Sequence, residues 1–229
     1  MQKSKRMKAI KNYLQQHKDV QISELTDIIE ASESTIRRDI KELAKEGFLV
    51  ELYGSIVLNQ QNDPDTLLNR RLGEQVAEKS VIGEKAAQKI KNNDFIYIDA
   101  GSTTYYMLRF IQAHNITIVT NGLNIAIEAS RLNFSVYMVG GEVKYITTAI
   151  VGEQAIQSIQ KYHFDKCFMG VNGYNDESYT TPEIREGSLK HEVIKHSNVT
   201  YVLADTSKYN KQTNYAFASR DEGHLINEG

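Results

Sequence analysis

Apolar residues in the first fifty positions recur at helical spacing. Met7, Ile10 and Leu14 stand at i, i+3 and i+7, the stripe of one amphipathic helix. A second short helix is expected to open at Ser23 as N-cap, with Ile22, Leu25, Ile28 and Ile29 turned inward. After the turn Glu30-Ala31-Ser32, a third helix places Ile36, Ile40 and Leu43 at i, i+4 and i+7 and is expected to stop at Gly47. Phe48 to Leu58 alternates weakly around Gly54, as a hairpin would. The polar run Asn59-Gln60-Gln61-Asn62-Asp63-Pro64-Asp65 reads as a linker, extending to about residue 74. Beyond it the period changes. Short β-rich runs at 95–98, 116–119, 135–139, 166–169 and 200–203 alternate with helical candidates near 80–91, 103–113, 123–132, 153–161 and 183–197. Repeated βα units predict a mostly parallel sheet with helices on both faces. The expected organisation is residues 1–58, a linker 59–74, and an α/β domain 75–229.

Bulk properties refine this modestly. The formal net charge is −2 over 229 residues, so the whole chain is no generic binder of polyanions. Residues 1–45 hold ten Lys and Arg against seven acids, a local excess of basic charge. The single cysteine, Cys167, lies in an apolar run and reads as a buried packing residue; no paired Cys/His spacing suggests zinc, and no cofactor is expected. With no signal-like segment and no apolar run of spanning length, the expected location is cytoplasmic, away from any membrane.

Two helices joined by a tight turn set the second across a DNA major groove. With its apolar set inward, the third helix keeps Ser34, Thr35, Arg37, Arg38, Lys41 and Lys45 for the outer face. Arginine can donate two bonds to guanine O6 and N7, whereas Lys, Ser and Thr more often hold phosphates. A small bundle with a solvated basic face would show the same periodicity. The residues Arg6, Ile10 and Leu14 followed by Ser32-Glu33-Ser34-Thr35-Ile36-Arg37-Arg38-Asp39-Ile40 resemble the signature of the DeoR family of sugar-metabolism repressors. That resemblance implies a winged helix-turn-helix whose recognition helix carries Thr35, Arg37 and Arg38 and binds double-stranded operator DNA. Asp39, repelled by phosphate, is expected to pair with a base such as Arg6. In the wing, Glu51-Leu52-Tyr53-Gly54-Ser55 stands where the family carries an Arg and a His-Gly-Gly, so a weaker wing–phosphate contact is expected.

Downstream, Asp99-Ala100-Gly101-Ser102-Thr103-Thr104 follows a strand and opens a helix. Small residues there admit an anion to backbone N–H groups, and three hydroxyls add donors. The same turn could be a helix cap without a ligand. Further loops lie past strand ends, where open α/β sheets bind ligands: Thr120-Asn121-Gly122, Gly140-Gly141-Glu142, Gly170-Val171-Asn172-Gly173 and Asp205-Thr206-Ser207-Lys208. Together they resemble a DeoR-type sensor domain, which implies a Rossmann-like fold of the ribose-5-phosphate isomerase type. By that similarity Ser102, Thr103, Thr104 and Lys208 hold the phosphate of a phosphorylated sugar effector, and Asp99, Asn121, Glu186 and Lys190 meet the sugar hydroxyls or their supporting waters. Gly101, Thr120, Gly140 and Gly141 are also expected to be effector-binding. Glu186 and Lys190, at i and i+4, could equally be a surface helix pair. The resemblance also implies a homodimer or homotetramer. Family members continue past a segment like His224-Leu225-Ile226, so an abbreviated C-terminal edge is expected. Tyr179-Thr180-Thr181-Pro182-Glu183-Ile184-Arg185-Glu186 loosely resembles the lactose-pathway repressors, which ranks tagatose 6-phosphate ahead of fructose 1-phosphate.

Three functions compete at this point. A ligand-responsive repressor is expected first. A phosphosugar isomerase or deaminase carrying a DNA-binding domain would need a carboxylate base, with Asp99, Asp165, Asp205 and Glu186 as candidates in kind. An architectural DNA binder with a vestigial sensor would ignore every sugar phosphate.

Overall fold

The structure, a computed structural model, describes residues 3–17, 19–29, 31–46, 48–52, 55–58, 71–144 and 147–229. It divides the chain into two compact units, Met1–Leu67 and Leu68–Gly229. The first contains α1 (Lys3–Gln16), β1 (Asp19–Gln21), α2 (Ile22–Ile28), α3 (Glu33–Lys45), β2 (Leu49–Leu52) and β3 (Ser55–Leu58). Its core joins Ile10 and Leu14 of α1, Ile22 and Leu25 of α2, and Ile36, Ile40 and Leu43 of α3, with Leu49 and Ile56 from the hairpin. Each side chain so buried contributes about 1.5–3 kcal/mol of transfer free energy, enough to fix three short helices that would not persist alone.

Several expectations shift here. α2 begins at Ile22 with Gln21 as N-cap, so Ser23 lies inside the helix. Ile28 turns outward and is 52% exposed, because the helix ends there and Ile29 takes the inward position. The hairpin gains a third strand, β1, antiparallel to β3. Gly47, Glu30, the wing residues Tyr53 and Gly54, and residues 59–70 of the expected linker lie outside the described residues.

The second unit holds a six-stranded, wholly parallel sheet: β4 (Phe95–Ile98), β5 (Thr117–Thr120), β6 (Ser135–Met138), β9 (Phe164–Gly170), β12 (Ser197–Leu203) and β14 (His224–Ile226). The spatial order β6-β5-β4-β9-β12-β14 runs one way from β4 through the first three strands and the other way through the last three. This is the Rossmann order, with its switch point between β4 and β9. Alternate residues face opposite helical layers, as a sheet covered on both sides requires. Ile96, Ile98, Ile118, Phe168 and Leu203 pack with α4 (Val76–Ala87), α5 (Ser102–Met107) and α6 (Leu123–Arg131). Tyr97, Val119, Cys167, Met169 and Val202 pack with α7 (Glu153–Ile159) and α8 (Ile184–Lys195). Cys167 is fully buried, and burial pushes its thiol up to about 11.

Two smaller pieces flank the sheet. A β-ribbon joins β7 (Glu142–Val143) to β8 (Ile150–Val151). An antiparallel sheet joins β10 (Gly173–Tyr174), β11 (Ser178–Thr181) and β13 (Tyr215–Ser219). α8 lies close against β13: a Cβ on Gly187 would come within 2.1 Å of the Tyr215 ring. Among the described residues no helix is long and apolar enough to cross a membrane.

Candidate functional site

On α3, Ser34, Arg37, Arg38, Lys41 and Lys45 are exposed and Thr35 is half-buried. Three acids of this region are taken up by cations of α1. Asp39, buried at 2%, accepts from Arg6 Nε at 2.5 Å and Nη2 at 3.2 Å. Glu42 pairs with Lys3 at 2.6 Å and Glu46 with Lys11 at 3.2 Å. Cations of α1 thus absorb the carboxylates on the side facing it. Arg37 is held by Glu33 one turn back at 2.7 Å, while Arg38, Lys41 and Lys45 form no ion pair among the described residues. At the N-terminal end, the Ser32 hydroxyl lies 3.1 Å from that of Ser34 and 2.8 Å from that of Thr35. The resulting face presents hydroxyls at its start and cations along its length, the chemistry that phosphate oxygens and guanine edges accept.

In the second unit a cavity of about 350 Å³ opens at the carboxyl ends of β4 and β9, the switch point of the sheet. Gly101, Ser102, Thr103, Glu186, Lys190 and Lys208 line it, as expected from the sequence. Glu186 and Lys190 do not pair with each other. The Glu186 carboxylate accepts from Lys144 at 2.5 Å, and the Lys190 ammonium donates to Asp99 and, at 2.9 Å, to the Gly170 carbonyl. Among the described residues the hydroxyls of Ser102 and Thr103 have no hydrogen-bond partner.

The other six expected contacts do not line the cavity; they build it. Asp99 lies beneath, 2% exposed, accepting from Lys190 and from the Gly170 N–H at 3.0 Å. Burial raises its carboxyl above the ordinary range, and Lys190 only partly offsets this. Thr104 turns its hydroxyl back onto the carbonyls of Asp99 at 2.7 Å and Gly101 at 3.1 Å. Asn121 accepts from the Ala100 N–H at 2.9 Å and donates to the Ile150 carbonyl at 3.2 Å, bracing the loop. Thr120 accepts from the Gly122 N–H at 2.9 Å. Gly141 has φ +149°, and a Cβ there would meet the Val151 carbonyl at 2.7 Å; Gly140 precedes it at the edge of the ribbon.

Sequence reasoning missed the opposite wall. Arg71, Glu74, Gln75 and Lys79 line it from the start of the unit and Lys144 and Thr147 from a loop, while Asn172 lies on a loop already expected at the site. Lys79 carried a signal: it occupies the buried stripe of α4 with Ile82, Gly83 and Ala86. Arg71 and Glu74, expected in the linker, belong to this wall. Asp205, fully buried, also lines the cavity. Burial opposes its charge, but bonds from Ser207 and the nearby Lys208 outweigh that and hold its pKa low. Its Oδ2 is 3.6 Å from Lys208 Nζ and has no hydrogen-bond partner among the described residues. Lys208 is in turn lowered by burial, with Asp205 supporting its charge. Counting the lining side chains, five cations face three acids. No group of three or more potential metal-binding side chains occurs among the described residues.

The comparisons with known proteins agree across both units. A model described as the DeoR-like helix-turn-helix domain matches residues 6–62, and one described as the DeoR C terminal sensor domain matches residues 74–227. The chain is 37% identical to an HTH-type transcriptional regulator of Bacillus subtilis, FruR, itself uncharacterized, over 96% of this chain and 89% of that protein. It is 29% identical to the lactose phosphotransferase system repressor of Staphylococcus aureus, over 97% of this chain and 90% of the repressor. Among solved structures, the translation initiation factor eIF-2B of Pyrococcus horikoshii resembles it in fold, with a TM-score of 0.51 at 14% identity, over 99% of this chain and 88% of that one. A helix with a cationic outer face and a parallel-sheet sensor thus meet in one chain, which belongs to the DeoR family of DNA-binding transcriptional regulators.

Proposed function

We propose that this regulator represses a sugar-utilisation operon, binding operator DNA through Ser34, Thr35, Arg37, Arg38, Lys41 and Lys45, and that a phosphorylated sugar in the second-unit cavity releases it. The observation that carries the reading is the cavity's unsatisfied chemistry. Two hydroxyls without partners, Ser102 and Thr103, stand among cations that include Lys79, Lys190 and Lys208, which suits a phosphate. Asp205 Oδ2 is a buried acceptor without a donor, and Asn172 and Glu186 add acceptors, which suits the hydroxyls of a sugar. Repression follows the likeness to the lactose phosphotransferase system repressor. A homodimer or homotetramer would match repeated half-sites.

Release requires that the sugar phosphate bind one conformation more tightly than the other, since only differential affinity moves the equilibrium. The test titrates the full chain, bound to duplexes it selects from a random pool, with tagatose 6-phosphate, fructose 1-phosphate and the parent sugars. Saturable binding of a phosphorylated sugar, loss of the DNA complex over the same range, and no product support the reading. Turnover of the sugar would overturn it in favour of an enzyme; DNA binding indifferent to every compound would favour an architectural protein.

A further inference from the structure

Lys79 occupies an unusual position in the cavity wall. It is only 4% exposed, yet among the described residues no carboxylate lies within ion-pair distance of its Nζ. Its ammonium donates instead to two backbone carbonyls, those of Arg71 and of Glu74, the latter at 2.7 Å. A lysine ammonium has three N–H donors. Two therefore hold the segment 71–75, which leaves one donor over on a residue that lines the cavity.

Residues 71–73 of that segment are helical, and the Gln75 carbonyl accepts from the Lys79 backbone N–H at 3.0 Å. The Tyr106 hydroxyl donates to the Leu72 carbonyl at 2.6 Å, and Gln75 enters α4 in a left-handed conformation, φ 52° and ψ 43°, which disfavours residues other than glycine, Asn or Asp. Four of its five residues are exposed. In sequence it directly follows residues 59–70, through which the second unit continues from the DNA-binding unit.

We infer that Lys79 is the effector-coupling residue: the anionic group of the bound sugar phosphate takes its third donor, and the ammonium then clamps the Arg71 and Glu74 carbonyls and fixes residues 71–75. This rests on the effector reading above. The physical reason is charge support. Burial disfavours the ammonium more than the nearby carboxylates of Asp205 and Glu74 support it, and Arg71 adds repulsion. An arriving phosphate reverses both effects, and hydrogen bonds from a fully supported ammonium are stronger than those from a poorly supported one. Occupancy of the cavity thereby becomes order in the stretch of chain next to residues 59–70.

Limited trypsin digestion of the full chain tests this, because Arg71 is exposed and followed by Leu72. Tagatose 6-phosphate, fructose 1-phosphate and inorganic phosphate are each titrated calorimetrically, and digestion is repeated at saturation. A compound that binds should slow cleavage after Arg71 at least fivefold and leave cleavage after the exposed Lys161 unchanged. Lys79→Met should bind the same compound at least tenfold more weakly and lose the protection. Tyr106→Phe should raise basal cleavage after Arg71 while binding within threefold of wild type. Binding by wild type without protection of Arg71 would overturn the inference, and that experiment needs no variant. Wild-type affinity in Lys79→Met would overturn it too. Failure of wild type to bind any of the three removes the effector reading itself, and this inference with it.

Discussion

Lys190→Met offers a quantitative test of how the cavity floor is held. In the wild type the buried Asp99 carboxylate has two donors, the Lys190 ammonium and the Gly170 N–H. The substitution keeps the side-chain length and removes the charge. Leaving one member of a buried ion pair alone costs about 3–5 kcal/mol. A second route gives a similar figure. Asp99 can avoid an unpaired charge by taking a proton, and in the unfolded chain its pKa is about 3.9, so protonation at pH 7 costs about 4 kcal/mol. At pH 5 the same proton costs only about 1.5 kcal/mol. The sign follows: the variant's folded form binds a proton that its unfolded form does not, so its stability falls as pH rises above 4. Because the wild-type Asp99 carboxyl is itself raised, the difference from wild type should grow with pH by at most about 1.4 kcal/mol per unit. Urea denaturation followed by tyrosine circular dichroism reads this unit, since the chain lacks tryptophan and only Tyr13 and Tyr53 precede Leu68. Adding Asp99→Asn should restore most of the loss by removing the stranded charge. A cost under about 1 kcal/mol at pH 7, or one that is the same at pH 5, would refute the reasoning.

Other substitutions probe the remaining parts. Arg38→Ala should weaken binding to the selected operator by about 1–3 kcal/mol at fixed salt, and affinity within twofold of wild type in a gel-shift titration would contradict the assigned face. Thr103→Val should leave operator binding intact and abolish release by the sugar phosphate; release at the wild-type concentration would show the hydroxyl to be idle. Gly187→Ala should cost about 1–3 kcal/mol because its methyl would overlap the Tyr215 ring, despite the helix-propensity gain, and an unchanged urea midpoint would count against that packing. Cys167, with its thiol pushed up to about 11 and fully buried, should resist a thiol-reactive disulfide reagent at pH 8 until the protein unfolds. Reaction of the native protein at the rate of a free thiol would contradict its burial.

The parallel sheet was legible because each βα unit writes its own period locally. The five β-rich runs all became strands, one with both ends unchanged and the others with ends moved by at most three residues. β1, with three residues, is too short to show any period, and its partner lies 34 or more positions away. The ribbon β10–β11–β13 escaped for the same reason: Thr181 pairs with Tyr215, and nothing near either residue announces the other. The start of α4 was placed too late because Gly73-Glu74-Gln75 reads as loop, whereas Gln75 turns the chain into a helix from Val76.

The cavity divides along a line that local sequence does not draw. Asp99, Thr104, Asn121, Ser102 and Thr103 are all polar residues just past strand ends, and by position they are equivalent. What separates them is whether their hydrogen bonds are already made. Thr104 and Asn121 each make two bonds to backbone groups, so a ligand could reach them only by breaking structure. Asp99 spends its carboxylate on Lys190 and Gly170. Ser102 and Thr103 have made none among the described residues and line the cavity, while Asp205 Oδ2 is buried without a hydrogen-bond donor, 3.6 Å from Lys208 Nζ. A buried polar group with no partner is costly until something satisfies it. On the proposed reading, the residues a ligand can reach without breaking structure are those whose bonding is incomplete, a property of the tertiary arrangement. Lys79 shows it most plainly: on a helix stripe it reads as a misplaced charge, and only the carbonyls of Arg71 and Glu74 reveal which of its donors is still unspent.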